Sequence, residues 1–132
     1  MVVTCTTSPR PLLGLAEITP GTFVAAVGAD NEHKLEIEPS LMRSARVVVD
    51  VLEQCATIGD LRGAIAAGLM TRDDVHAELP ELVSGRRPGR EWDEQVFIFD
   101  STGSAVQDVA AAGAVYQQAL ERGAGARITL AS

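Results

Sequence analysis

Carboxylates and small polar residues follow several apolar segments of this sequence, at the points where strands are predicted to end. The most apolar segment covers residues 21–30, Gly-Thr-Phe-Val-Ala-Ala-Val-Gly-Ala-Asp, and Lys34 follows Asp30 by four residues. A run this apolar is typical of a strand covered on both faces of a parallel α/β sheet, and ligands bind such sheets at the carboxyl ends of the strands. Asp30 is therefore a candidate for proton transfer or ligand binding. A turn aspartate is the ordinary alternative, and the spacing alone favours neither.

Two further segments change from apolar to polar in the same way. Val2-Val3 leads into Thr4-Cys5-Thr6-Thr7-Ser8, and residues 96–99 lead into Asp100-Ser101-Thr102-Gly103. Together these segments predict a crevice lined by hydroxyls, backbone amides and one or two carboxylates. For Lys34 a solvated charge is the alternative to a ligand contact, and for Ser101 the alternative is a helix cap. Asp100 could likewise cap the helix that follows it.

The composition limits the class of protein. A chain of 132 residues with 46% hydrophobic residues fits one domain with a core, and a net charge of −7 argues against nucleic acid as a partner. The sequence has neither a membrane-spanning apolar run nor a signal-peptide pattern, so a cytoplasmic protein is expected. Cys5 and Cys55 lack the spacing of a disulfide framework or a zinc site, and no metal is predicted. Cys5 is interpreted as an ordinary small buried residue, with a reactive thiol as the alternative.

Strands separated by short helical crossovers predict a parallel α/β sheet. The valine-rich residues 46–51 are predicted to add a strand to those named above, with residues 21–30 as the central one. Pro39 suits the first turn of a short helix. Residues 52–70 are predicted to be helical in two parts, broken near Gly59, with Asp60 as the N-cap of the second.

The second half of the chain contains the clearest helix. Thr71 and Asp74 resemble a capping box at the start of a third helix, which Pro80 interrupts. The long helix is predicted over residues 103–122, with Gly113 on its apolar face allowing close approach of a neighbour. That face contains Ala105, Val109, Ala112, Tyr116 and Leu120. Residues 123–126 have GxG spacing but follow a helix, so they are interpreted as a helix stop and not as a nucleotide-binding turn.

Several of these segments occur together in one order. They are residues 3–7, residues 26–30 with Lys34 following, and residues 46–50, 64–68, 85–90 and 99–103. As a set they resemble the ornithine cyclodeaminase/mu-crystallin family of NAD(P)-dependent enzymes, over nearly the whole chain. The resemblance implies that this chain is the C-terminal portion of such an enzyme. The implied fold class is α/β: the C-terminal half of a Rossmann-like parallel sheet domain plus a long C-terminal helix.

The resemblance also implies a role for each candidate residue. Asp30 corresponds to the general acid/base beside the nicotinamide, and mu-crystallin-like members depart from the family pattern there, so Asp30 with Lys34 indicates the catalytic branch. Thr102 corresponds to a substrate-contacting position at which ornithine cyclodeaminases often carry valine. The positions that correspond to cofactor contacts are Thr4, Val24, Ala25, Ala26, Val27, Lys34 and Ser101.

On this basis residues 1–102 are predicted to form a partial Rossmann-like NAD(P)-binding domain without its Gly-rich loop. Residues 103–132 are predicted to form a long helix and tail that pack toward a substrate and dimerisation domain outside this sequence. The implied chemistry is hydride transfer at an amino-acid or cyclic imino-acid carbon: ornithine to proline with ammonia release, ketimine reduction, or alanine dehydrogenation. NAD or NADP is the expected cofactor, the complete protein is expected to be a homodimer, and the chain alone is expected to be inactive. The alternative is a non-catalytic, mu-crystallin-like small-molecule or NADP-binding module, or an inactive remnant.

Overall fold

A five-stranded parallel sheet organises the chain in a computed structural model, which describes residues 1–126 and 128. The strands are β1 (Val2–Thr4), β2 (Phe23–Ala26), β3 (Arg46–Val49), β4 (Ala77–Glu78) and β5 (Phe97–Asp100). Their spatial order is β1-β2-β5-β3-β4, and every neighbouring pair is parallel. The predicted α/β class with a parallel sheet is confirmed.

Short helices connect the strands. They are α1 (Pro39–Ser44), α2 (Leu52–Ile58), α3 (Asp60–Ala66) and α4 (Leu79–Val83), with 3₁₀ turns at Leu15–Glu17 and Arg72–Asp74, and the longer helix α5 (Ala105–Arg122) follows the last strand. The predicted break at Gly59 separates α2 from α3, and Pro39 occupies the first turn of α1. Helix α5 stops at Gly123, whose φ of 59° is left-handed and suits glycine at this position.

The core lies between one face of the sheet and helices α1 to α3. Alternate residues of the strands point to this face, because side chains in a strand project to opposite sides in turn. The fully buried apolar residues of this cluster are Val24, Ala26, Ile37, Leu41, Met42, Val49, Cys55, Leu61, Ala64 and Ile98. Val3 on β1, at the edge of the described sheet, remains 58% exposed. The helices thus cover one face of the sheet and leave its carboxyl edge accessible to a ligand.

Two predictions about the order of elements are wrong. The central strand is β5, because residues 97–100 insert between β2 and β3, whereas the strand predicted at 21–30 is second in the sheet and only four residues long. The predicted third helix is also absent. A capping box does form between Thr71 and Asp74, but it encloses a single 3₁₀ turn, and β4 follows. Pro80 lies in the first turn of α4 instead of interrupting a helix, since a proline there forfeits no intrahelical hydrogen bond.

Helix α5 presents its apolar side chains to solvent in this chain. Val109 is 71% exposed and Tyr116 59% exposed, and a Cβ added to Gly113 would meet no atom of the described residues within 4 Å. The packing of this helix onto another domain stays a prediction, as does the division into residues 1–102 and 103–132, of which residues 127 and 129–132 lie outside the described part. Among the described residues, no helix has the combination of length and apolar character that a bilayer crossing requires.

Candidate functional site

The carboxyl ends of four parallel strands lie side by side at one edge of the sheet. In register, Thr4 is paired with Ala26, and Asp100 is paired with both Ala26 and Val49. The ladder continues beyond the strands, because the Ser101 N–H donates to the Ala26 carbonyl at 2.9 Å. The segments that follow β1, β2, β3 and β5 therefore meet at this edge, which is where the sequence predicted a crevice.

Asp30 and Lys34 form an ion pair just beyond β2. The Lys34 Nζ lies 2.7 Å from Asp30 Oδ1, with the lysine side chain 19% exposed and the aspartate side chain 53% exposed. The Asn31 amide nitrogen also donates to Asp30 Oδ1, at 2.9 Å. The hydrogen bond from Lys34 is the main cause of a pKa of Asp30 below its usual range. Asp30 is therefore an exposed, ionised carboxylate that can accept a proton from a ligand.

Asp50 organises the start of the segment that leads to α5. Its Oδ2 accepts hydrogen bonds from the Ser101 hydroxyl at 2.8 Å and the Gly103 N–H at 2.9 Å, and its Oδ1 accepts from the Val51 N–H at 2.7 Å and the Cys55 thiol at 3.1 Å. Burial alone would raise the pKa of Asp50, but the hydrogen bonds from Cys55 and Ser101 outweigh it and lower that pKa. Since the only proton of the Ser101 hydroxyl goes to Asp50, Ser101 can offer a ligand lone pairs but no donor.

The other predicted ligand contacts differ in how accessible they are. Val24 and Ala26 are fully buried in the core, whereas Val27 is 37% exposed and Ala25 is partly buried. Thr4 is nearly buried, and its Oγ1 has no hydrogen-bond partner among residues 1–126 and 128. An unpartnered buried hydroxyl costs about 1–3 kcal/mol, so Thr4 fits a position that binds a polar ligand group. The cofactor contacts assigned to all five residues stay predictions.

Thr102 lies beside Ser101 but faces a different partner. Its hydroxyl donates to Gln54 Oε1 at 3.3 Å, on the first turn of α2, and its substrate contact stays a prediction. Cys5 is exposed, so its interpretation as a small buried residue is wrong. The polar segment after β1 turns away from the core and carries this side chain with it. Cys55 is buried, and burial, with the charge of Asp100 as the next cause, raises the pKa of its thiol.

Asp100 caps a different helix from the one expected. It is fully buried, and its carboxylate accepts the N–H of Leu61 at 2.8 Å and of Asp60 at 3.3 Å, at the start of α3 instead of α5. A Cβ on Gly59 would lie 2.9 Å from Asp100 Oδ2, so glycine makes room for this cap. Burial, followed by the charge of Asp60, raises the pKa of Asp100 to about 8.

Asp60 is not the N-cap of α3, which is Gly59. Its Oδ1 instead accepts the N–H of Glu36 at 2.6 Å and of Ile37 at 2.9 Å, and burial raises its pKa to about 6.

Glu36 in turn is fully buried, with Oε1 accepting the Thr6 N–H at 2.6 Å and Oε2 accepting the Gly28 N–H at 2.9 Å. Sequence reasoning missed the parts that Glu36, Asp50 and Asp60 play. The local sequence carries no clear signal for Glu36, because Lys34, Glu36 and Glu38 alternate with Leu35 and Ile37, and this pattern is equally typical of exposed carboxylates.

An open cavity of about 640 Å³ lies away from this edge, at the amino ends of β3 and β5. Its lining includes Arg46, His76 and Trp92. Arg46 already pairs with Glu91 and stacks on Trp92 at 6.0 Å, and His76 Nε2 lies 2.8 Å from the Pro88 carbonyl. The polar groups of Arg46 and His76 already have hydrogen-bonding or ion-pair partners within the chain, so the carboxyl edge remains the candidate site.

Comparison with known proteins decides the family. The profile of the ornithine cyclodeaminase/mu-crystallin family matches residues 1–123. This chain belongs to that family. The match confirms the resemblance drawn from residues 3–7 through 99–103, including the order of the segments.

Individual members of the family match this chain along nearly its whole length. The alanine dehydrogenase of Archaeoglobus fulgidus is 41% identical over 128 residues, which are 97% of this chain and 40% of that protein. The iminosuccinate reductase of Paracoccus denitrificans is 42% identical over 123 residues, which are 93% of this chain and 38% of that protein. This chain thus spans about 40% of the length of its curated relatives.

Solved structures of family members share the fold. An archaeal alanine dehydrogenase dimer with bound NAD superposes with a TM-score of 0.87 at 40% identity, covering 98% of this chain and 41% of that one. The Δ¹-pyrroline-2-carboxylate reductase of Thermococcus litoralis, in complex with NADH and L-proline, superposes with a TM-score of 0.89 at 29% identity, covering 96% of this chain and 40% of that one. The matching part is the C-terminal portion of these proteins, as the sequence predicted.

Proposed function

We propose that this chain forms the proton-transfer and nicotinamide-facing part of an NAD(P)-dependent enzyme that acts on the nitrogen-bearing carbon of an amino acid or a cyclic imino acid. The relatives named above are an alanine dehydrogenase, an iminosuccinate reductase and a pyrroline-2-carboxylate reductase. Their names share one chemistry, the interconversion of an amine and an imine next to a carboxylate. The observation that carries the proposal is the exposed Asp30 carboxylate, held by Lys34 at the carboxyl edge of the sheet.

Asp30 is the proposed catalytic residue. In the oxidative direction its carboxylate accepts a proton from the substrate amine, and in the reductive direction the carboxylic acid returns it. The ion pair with Lys34 fixes the position of the Asp30 carboxylate and lowers its pKa, so that Asp30 is ionised at neutral pH. We assign Thr102 to the substrate, because its hydroxyl lies at the start of the segment that leads to α5.

The residues of the carboxyl edge fit a nicotinamide. When bound, that group supplies the hydride acceptor or donor. Thr4 offers an unpartnered hydroxyl and Ser101 an acceptor oxygen, while Val27 offers an apolar surface. We assign these three, with Ala25, Lys34 and the more deeply buried Val24 and Ala26, to the cofactor. The rest of the enzyme, including the phosphate-binding turn and the substrate-binding domain, is proposed to lie in the other 60% of a protein of the relatives' length, acting as a cytoplasmic homodimer.

The test is a chimera in which residues 1–123 replace the matching segment of the Archaeoglobus fulgidus alanine dehydrogenase. We expect nicotinamide reduction, followed by absorbance, with at least one of L-alanine, L-ornithine and L-proline. Asp30→Asn should lower kcat by about 10²- to 10⁴-fold, the usual contribution of a general base, while cofactor affinity stays within a few-fold. Glu32→Gln is the matched control, because this nearby carboxylate is exposed and lies beside the exposed side chain of His33.

Two results would contradict the proposal. A kcat of Asp30→Asn within a few-fold of the parent chimera would remove Asp30 from the chemistry. A chimera that binds dinucleotide with micromolar affinity yet turns over none of the substrates in either direction would favour the non-catalytic, mu-crystallin-like module.

A further inference from the structure

Glu36 is a buried carboxylate that is satisfied by the backbone. It has no accessible surface, and no basic side chain pairs with it among the ion pairs of the described residues. Its two oxygens accept one backbone N–H each, from Thr6 at 2.6 Å and from Gly28 at 2.9 Å. An apolar side chain at this position would leave both of these N–H groups without their acceptor, so the glutamate is required for the two backbone contacts.

The two amides that Glu36 binds belong to the two segments that form the crevice. Thr6 lies two residues beyond the end of β1, and Gly28 lies two residues beyond the end of β2 and two before Asp30. Past the strand ends, the Val27 N–H still donates to the Thr4 carbonyl at 2.9 Å. Beyond this bond, Glu36 joins the two segments by accepting the N–H groups of Thr6 and Gly28.

Glu36 is itself held firmly in place. Its N–H donates to Asp60 Oδ1 at 2.6 Å, and its carbonyl accepts the N–H of Leu12 at 2.7 Å and of Leu13 at 3.1 Å. The Asp60 that holds it is anchored at the start of α3, where Asp100 of β5 accepts the Asp60 N–H at 3.3 Å. The position of the Glu36 carboxylate is thus tied to the centre of the sheet.

The glycine at position 28 fits this carboxylate and nothing larger. A Cβ there would lie 2.4 Å from Glu36 Oε1 and 2.5 Å from both Cδ and Oε2. All three atoms belong to a side chain that is fixed at both oxygens, so it cannot move aside without losing a hydrogen bond. Gly28 has no positive φ, so the requirement for glycine comes from the close approach of Glu36 and not from the backbone conformation.

We propose that Glu36 is a positioning residue that joins the segments after β1 and β2 and thereby sets where Asp30 stands relative to the bound reactants. This inference rests on the proposed function, since Asp30 must be the catalytic carboxylate for its position to matter. Glu36 touches neither cofactor nor substrate. Its removal should therefore alter the rate of proton transfer more than the affinity for either ligand.

The first test uses the 132-residue chain and needs no activity. Glu36→Gln keeps the shape, but its amide nitrogen must face one of the two N–H groups, so one of the two hydrogen bonds is lost. We expect hydrogen exchange to become at least about 10-fold faster by NMR at whichever of the Thr6 and Gly28 amides loses its acceptor, and to change less at the other. Exchange at His76, whose N–H donates to the Val47 carbonyl across the sheet, should stay within about 2-fold. Equal acceleration at all three amides would make Glu36 a general stability residue and overturn the proposal.

The second test measures kinetics in the chimera. Glu36→Gln should lower kcat by about 10- to 100-fold with the cofactor KM within about 2-fold, and Gly28→Ala should do the same by displacing the carboxylate. Because both changes break one contact, the double variant should be no slower than the slower single variant. Glu38→Gln, an exposed carboxylate on the same segment, is the control. Additive losses, or an unchanged kcat for Glu36→Gln in a chimera that Asp30→Asn inactivates, would refute the role of Glu36 while leaving the proposed function intact. A chimera that Asp30→Asn leaves active would refute both.

Discussion

The free energy of unfolding of this chain should fall as the pH rises from 5 to 8, because of Asp60 and Asp100. Burial raises the pKa of Asp60 to about 6 and that of Asp100 to about 8 in the folded chain, whereas an unfolded aspartate titrates near 4. In this range the folded state binds more protons than the unfolded state, so stability decreases with increasing pH. The extra stability is fully present below about pH 4 and is lost as the pH rises through the folded pKa values.

The size of the effect follows from linkage. Between pH 5 and pH 8, Asp60 contributes a loss of about 1 kcal/mol and Asp100 a loss of about 3–4 kcal/mol. A total of about 5 kcal/mol is comparable to the whole stability of a small domain. The pKa values of Asp30, Asp50 and Asp74 are lowered, so their stabilisation is lost only as the pH falls below about 4. They leave the slope between pH 5 and 8 unchanged.

Asp100→Asn is the variant that tests this reasoning. Asparagine keeps an acceptor for the Leu61 N–H but does not titrate, so the decline between pH 5 and 8 should shrink to about 1 kcal/mol. The measurement is urea unfolding followed by far-UV circular dichroism at constant ionic strength, at protein concentrations where the midpoint no longer depends on concentration. Asp73→Asn, an exposed carboxylate, should keep the slope of the parent. Parallel curves for the parent and Asp100→Asn would show that Asp100 is already ionised at pH 5 and that its burial does not control its charge.

Two further predictions concern ligands and association. In the chimera, Ser101→Ala should raise the cofactor Kd about 5-fold, equivalent to the roughly 1 kcal/mol of one hydrogen bond. An unchanged Kd would show that Ser101 is only a hydrogen-bond partner of Asp50. Thr102→Val should instead change the ratio of kcat/KM values among the substrates. The 132-residue chain alone should bind neither NAD nor NADP appreciably and should self-associate, because Val3 on β1 and Val109 and Tyr116 on α5 expose apolar surface. Light scattering and calorimetry would contradict this if they found a monomer with micromolar affinity for either dinucleotide.

The elements that could be predicted from the sequence depend on local signals. Pro39 begins α1 and Gly123 ends α5, each through a conformational property of one residue, and Gly59 marks the break between α2 and α3. The order of the strands depends instead on contacts between distant residues. β5 pairs with both β2 and β3, and nothing within residues 96–100 distinguishes a central strand from one at an edge.

The same distinction applies to the carboxylates of the site. Asp30 and Lys34 are four residues apart, and the short turn between them, in which the Lys34 N–H donates to the Asn31 carbonyl, brings their side chains together. Asp100 binds the N–H of Leu61, 39 residues away, and Asp50 binds the Ser101 hydroxyl, 51 residues away. The helix nearest to Asp100 along the chain is α5, which is why the sequence suggests a cap there, whereas Asp100 caps α3. Only the folded sheet shows which helix each strand end reaches.

These distant contacts explain which part of a dinucleotide the carboxyl edge can accommodate. In many α/β sheets the free backbone amides at this edge bind phosphate. Here the amides of Thr6, Gly28 and Gly103 all donate to buried carboxylates, those of Glu36 and Asp50. A phosphate would find these amides occupied and would face the carboxylates of Asp30 and Asp50, whose pKa values are lowered. The edge therefore favours a neutral or cationic group, which supports the proposed nicotinamide contact near Asp30.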